Sequence, residues 1–150
     1  MIRSLMGAFA IALLVSGAAQ AKETKVTMSS LPAPVRETAM QQTKGDTILD
    51  IVREVEAGKT MYELETMRHG GTRDILIGAD GTLLVVEEQV ALKDLPAAVR
   101  TTVEKSAAQG KISRVEAVRQ RGVLSYYEAQ IKKGKKVSEI KVGPDGALKH

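Results

Sequence analysis

Along the chain the spacing of apolar positions changes several times, and the changes divide it into elements. Leu31, Val35 and Ala39 recur every four residues, as do Leu95, Val99, Val103 and Ala107, so each series draws an apolar stripe along one side of a helix. Ser30 or Asp94 stands just ahead of a Leu-Pro step, which predicts a cap followed by proline in the first helical turn. Gly45 and Gly110 are placed to close the two helices. Beyond each helix the period falls to two. Residues 48–56 and 112–120 read as strands followed by turns at Gly58 and Gly122. Tyr62, Leu64 and Thr66 then alternate with Glu63 and Glu65, and Tyr127, Ala129 and Ile131 alternate with Glu128 and Gln130, which gives one buried and one wet face. A third strand carries Ile75 and Ile77, or Ile140 and Val142, before the turn residues Asp80-Gly81 and Asp145-Gly146. Residues 82–88 form a fourth strand. Its counterpart near His150 is expected to be truncated or missing.

The two series are also alike residue by residue. Val26 to Arg36 aligns with Val90 to Arg100 at an offset of 64, and Gly58 with Gly122 at the same offset. From Tyr62-Glu63 against Tyr127-Glu128 the offset becomes 65 and holds through Ile75/Ile140, Gly78/Gly143, Asp80-Gly81/Asp145-Gly146 and Leu83/Leu148. This predicts a tandem repeat, with one copy at about residues 26–89 and the other at about 90–150. A unit of about 60 residues is marginal alone. Two units joined edge to edge share a core and remove open edges. The expectation is therefore an α+β fold: two tandem helix-plus-antiparallel-strand repeats forming one continuous antiparallel sheet with both helices on one face.

Residues 1–21 are set apart from this pattern. Arg3, the apolar run from Leu5 to Val15 and the small-x-small step Ala19-Gln20-Ala21 read as a signal peptide, too short in its uncharged run for the ~20 residues of a spanning helix. The expected mature chain, residues 22–150, is periplasmic or secreted, with no stable membrane insertion after cleavage. Its chemistry is sparse. Among 150 residues there are no cysteines, no tryptophans and two histidines, which removes disulfides, thiolate metal sites and cysteine nucleophiles. A net charge of +4 is too small to argue for nucleic acid.

The pattern Leu-Pro-x-x-Val-Arg on a helix, then a strand, then Tyr-Glu, an isoleucine-bearing strand and Asp-Gly resembles the PepSY-like family, in its β-lactamase-inhibitor-like branch. The resemblance spans Val26 to Leu148 in two tandem copies. It implies an exported, non-enzymatic module that binds or inhibits peptidases or other proteins, with the sheet face opposite the helices touching the partner.

Individual candidates point the same way. His69 lies in a Gly-flanked loop without a second nearby histidine, and reads as a solvated residue rather than a metal ligand. Asp80-Gly81 and Asp145-Gly146 lack the further acidic positions of a calcium loop and read as turns. Glu63 and Glu128 occupy equivalent positions through the repeat, which accounts for the pair without glycosidase chemistry. No catalytic, cofactor-binding or metal-ligating residue is expected. Lys132, Lys133, Lys135 and Lys136 flank Gly134 at a predicted hairpin tip, where they either keep an edge soluble or grip an anionic partner. The wet sheet face is the better binding candidate: Met61, Glu63 and Glu65 from one copy, and Tyr126, Glu128 and Gln130 from the other, point away from the helices. The leading expectation is a periplasmic protein-binding module, with another envelope or secreted protein as partner. The alternative is an envelope sensor or binder of a small ligand or ion.

Overall fold

A computed structural model of the chain describes residues 22–149. The signal-peptide expectation at residues 1–21 lies outside the described residues. The chain runs β1 (Lys22–Lys25), a 3-10 turn (Met28–Ser30), α1 (Ala33–Gln42), β2 (Thr47–Glu56), β3 (Lys59–Arg68), β4 (Gly71–Gly78) and β5 (Leu83–Gln89). It continues through a second 3-10 turn (Leu92–Asp94), α2 (Ala97–Ala107), β6 (Lys111–Gln120), β7 (Val123–Lys133), β8 (Lys136–Val142) and β9 (Leu148–Lys149). All nine strands form one sheet in sequence order, and every neighbouring pair is antiparallel. This is an open, α+β architecture.

Two apolar clusters hold the helices. Leu31, Val35 and Ala39 pack with Ile51, Tyr62, Leu64, Ile75, Ile77 and Val86. Leu95, Val99 and Val103 pack with Val115, Ala117, Tyr127, Ala129 and Val142. The four-residue stripe and the two-residue alternation are thus buried where they meet. The expectation that Tyr62 and Tyr127 are core residues agrees with this, at 6% and 9% exposure.

The helix ends differ from the sequence reading. Ser30 does not cap α1: its hydroxyl accepts from the Thr27 N–H and donates to the Thr27 carbonyl inside the 3-10 turn. Asp94 likewise belongs to a 3-10 turn. The cause is the proline, which forces Leu31 and Leu95 into extended backbone, so the helices begin only after Pro32 and Pro96. At the far end of α2 the left-handed residue is Ala108, with φ 46° and ψ −106°, rather than Gly110. Gly110 serves a different need, because a Cβ there would sit 2.8 Å from Ile131 Cγ2.

Several bonds recur at the two sequence offsets. Val26 N–H donates to Ile51 O and Val90 N–H to Val115 O, each at 2.9 Å. Gly78 N–H donates to Thr82 O at 2.9 Å and Gly143 N–H to Ala147 O at 2.7 Å. The Thr38 hydroxyl donates to Gly81 O at 2.6 Å, and the Thr102 hydroxyl to Gly146 O at 2.7 Å, tying each helix to the turn after the third strand that follows it. The expected truncated last strand is present as the two-residue β9.

One buried polar network has no counterpart in the sequence reading. The fully buried Asp46 carboxylate accepts from Arg68 Nε at 2.5 Å and Arg73 Nη1 at 3.2 Å, and the Thr66 hydroxyl, 3.3 Å from it, donates to the Arg73 carbonyl at 2.8 Å. The Gln42 carbonyl at the end of α1 accepts from Arg73 Nη1 at 2.9 Å and Arg68 Nη2 at 3.3 Å. Cations at a helix C-terminus are favoured by its dipole, so the network locks α1 onto β3 and β4.

Candidate functional site

Residues directly opposed on neighbouring strands share a face of the sheet, so the register separates the face of Glu63 from the face of Tyr62 and Leu64. On β3 the face of Glu63 carries Met61, Glu63 and Glu65. Met61 opposes Gly78, Glu63 opposes Leu76 and Glu65 opposes Asp74. On β4 and β5, Asp74 opposes Glu87 and Leu76 opposes Val85. Glu87 then opposes Val118, and Gln89 opposes Glu116, on β6. On β7, Glu128 opposes Glu116, Tyr126 opposes Val118 and Gln130 opposes Arg114. Glu128 and Gln130 in turn oppose Lys141 and Glu139 on β8.

The six residues proposed from sequence therefore lie on one face but do not form one cluster. β3 and β7 are separated by three strands, so the two groups sit about 19 Å apart at about 4.8 Å per strand. Asp74, Glu87 and Glu116 occupy the interval and join the ends into an acidic strip. Sequence reasoning missed these three. The signal was present, because Asp74 alternates with Ile75 and Glu116 stands between Val115 and Ala117, each on the wet parity of its strand.

The strip has an apolar floor. Val52, Leu76 and Val118 are buried at 6%, 3% and 0% exposure, although none belongs to a helix-backed cluster. The side chains on the flanking positions shield them and lose solvent in doing so. Burial pushes the Glu63 carboxyl up to about 7, with the Asp74, Glu65, Glu54 and Glu23 charges adding to it. Burial raises Asp74 to about 6, with Glu65 adding and Arg114 opposing. Burial raises Glu87 to about 8, assisted by Glu116, Glu128 and Asp74. Glu116 and Glu128 are also raised, first by burial.

Positive charge borders the strip at its β1–β3 end, where Lys25 pairs with Asp50, and enters it at two points toward β8. Arg114 Nε lies 3.3 Å from Glu116 Oε1, and Lys141 Nζ lies 3.8 Å from Glu128 Oε2. Lys141 Nζ also stands 5.0 Å from the centre of the Tyr126 ring, a cation–π contact that fixes the half-buried ring against the sheet. In the middle, carboxylate oxygens of Asp74, Glu87 and Glu116 lie within 4.8 Å of one another. The arrangement concentrates negative charge on a partly dehydrated, rigid surface. It attracts cations. His69 is remote from it, exposed at the β3–β4 hairpin tip.

The chain matches no family model and no curated protein. Solved structures do resemble it. A DUF2874 family protein from Bacteroides ovatus superposes with a TM-score of 0.63 at 15% identity, over 78% of this chain and 83% of that one. A BLIP-like protein from Bacteroides fragilis gives 0.61 at 16% identity, over 79% and 83%. A protein from Bacteroides eggerthii, described as periplasmic, gives 0.64 at 16% identity, over 78% and 84%. At these identities the likeness is one of fold, and the fold is BLIP-like. Among the described residues, no helix is long and apolar enough to cross a membrane.

Proposed function

We propose that this chain is a non-enzymatic periplasmic protein that docks another envelope or secreted protein on the acidic strip, with a basic surface as the partner's contact. The observation that carries the reading is the run of carboxylates from Glu63 through Asp74, Glu87 and Glu116 to Glu128, three of them pushed to about 6, 7 and 8. A cationic partner relieves their mutual repulsion and returns their protons to solvent, so docking strengthens as pH rises from 6 to 8 and weakens with salt. Tyr126, with Met61 at the far end, supplies apolar contact area. Inhibition of a peptidase or other enzyme is one consequence of such docking, and loss of the captured enzyme's activity reports it.

Two further features support the reading. The bonds that recur at offsets of 64 and 65 favour a tandem PepSY-like duplication. The opposed pairs Ile75–Val86, Glu88–Ala117, Ala117–Tyr127 and Tyr127–Val142 run through both apolar clusters, which favours both helices on one face and an unobstructed opposite face.

The test is capture from a periplasmic extract by the wild type and by the double variant Tyr126→Ala, Glu128→Lys. The expected result is loss of a salt-sensitive partner. If every captured protein is unchanged, the assignment of the face is wrong. The second reading, an ion or small-ligand sensor, is favoured by the convergence of Asp74, Glu87 and Glu116. Thermal unfolding with calcium separates the two, because saturation at a hundredfold Kd stabilises by about 2.7 kcal/mol. Lack of any shift removes the ion.

A further inference from the structure

The two edges of the sheet are unlike. β1 is four residues long and wholly exposed, with the sequence Lys-Glu-Thr-Lys, a short charged edge of the kind that discourages pairing. At the other side β9 covers β8 only at Lys141 and Val142. The outer edge of residues 136–140 has no neighbouring strand among the described residues. Gly134, with φ 59°, and Lys135 form the two-residue turn that joins β7 to β8, so Lys133 and Lys136 are the hydrogen-bonded pair closing the hairpin. Bonding then alternates along the strand, and the N–H and C=O groups of Val137 and Glu139 point outward. Val137 is 50% exposed at the middle of this edge.

In the corresponding place at offset 65, β4 has its outer edge covered from Arg73 to Ile77 by β5, whose sequence is Leu-Leu-Val-Val-Glu-Glu-Gln. Beside the open edge of β8 the hairpin tip is basic. Lys132, Lys133, Lys135 and Lys136 are exposed, and none pairs with a carboxylate among the described residues. We infer that the β8 edge accepts an extended segment of another polypeptide as an additional strand, one with apolar residues followed by acidic residues that meet the lysine tip. Backbone bonds to Val137 and Glu139 hold the strand, and charge complementarity at Lys135 and Lys136 sets its chemistry. This goes beyond the acidic strip, which selects the opposite charge on a different surface.

The probe is a fluorescently labelled peptide with the sequence of residues 82–89, Thr-Leu-Leu-Val-Val-Glu-Glu-Gln, titrated against the full mature chain. Binding is expected below about 1 mM. Val137→Pro removes an outward N–H without touching the bonds to β7, and Lys135→Glu with Lys136→Glu reverses the tip charge. Each variant is expected to weaken binding about tenfold, the equivalent of ~1.4 kcal/mol. The same peptide with both glutamates replaced by lysine is expected not to bind. Failure of the acidic peptide to bind, equal binding to both variants, or equal binding of the lysine peptide overturns the inference. A wild-type dimer that Val137→Pro converts to monomer also overturns it, by showing that a second copy fills the edge.

Discussion

Asp74 and Glu87 stand directly opposite each other on β4 and β5, two carboxylates on one face of the sheet where an antiparallel ladder ordinarily avoids like charge. Burial holds both above the usual carboxylate range, with Glu65 adding at Asp74 and with Glu116, Glu128 and Asp74 adding at Glu87. Keeping the pair ionised costs stability as the pH rises.

The pH dependence of stability follows in sign. Glu63, Asp74 and Glu87 bind protons more tightly folded than unfolded, so their contribution is complete below about pH 4, the unfolded range. It is lost as pH rises through about 6, 7 and 8. Tm is expected to fall between pH 5 and pH 8.5. Glu87→Gln should raise Tm at pH 8.5 by a few degrees and flatten the slope, as measured by circular dichroism at constant ionic strength. An unchanged slope would remove Glu87 as a source of the strain.

Asp46→Ala should destabilise the protein by about 3–5 kcal/mol, because it leaves Arg73, with only 7% of its side chain exposed, without its carboxylate. Asp46→Asn should cost less, since the amide oxygen still accepts one of the two arginine bonds. Urea unfolding gives both values. A loss under 1 kcal/mol for the alanine variant would show that Gln42 alone satisfies the arginines.

Strained turn positions offer the opposite sign. Ala57 has φ 48° in the two-residue β2–β3 turn, a place that favours asparagine, and Ala108 has φ 46° with ψ −106°, a place that favours glycine. Ala57→Asn and Ala108→Gly are each expected to stabilise by about 0.5–1 kcal/mol. The double variant should show the sum, because the two turns share no contact surface. A drop in stability for either would place a compensating contact at that methyl group.

Gly81→Ala should cost more than Gly122→Ala. Both glycines have positive φ, at 86° and 82°, but a Cβ at Gly81 would sit 2.7 Å from the Pro34 carbonyl oxygen, whereas nothing lies within 4 Å at Gly122. The Gly122 variant should lose about 1 kcal/mol from backbone strain, and the Gly81 variant about 2 kcal/mol or more, through displacement of α1 from its turn. Equal losses in chemical denaturation would show that α1 shifts freely.

Much of this was legible in the residues themselves. The stripe Leu31-Val35-Ala39 and the alternation around Leu64 identified helix, strand and core face, because side-chain direction repeats with fixed period in each element. Met61, Glu63, Glu65, Tyr126, Glu128 and Gln130 could be assigned to a wet face by the same parity. The helix starts at Pro32 and Pro96 and the left-handed Ala108 were not legible, because local backbone conformation outweighed the residue preferences used to place the caps.

By itself, then, the sequence determined periodicity, turn chemistry and the absence of cysteine chemistry, all of which depend on neighbours along the chain. The tertiary structure alone decided that Glu63 and Tyr126 lie at opposite ends of a strip, and that Asp74, Glu87 and Glu116 converge between them. It also decided the Asp46 network and, among the described residues, the open edge of residues 136–140. Those properties come from strand order, register and loss of solvent. They join residues tens of positions apart, and no local pattern encodes the distance between them.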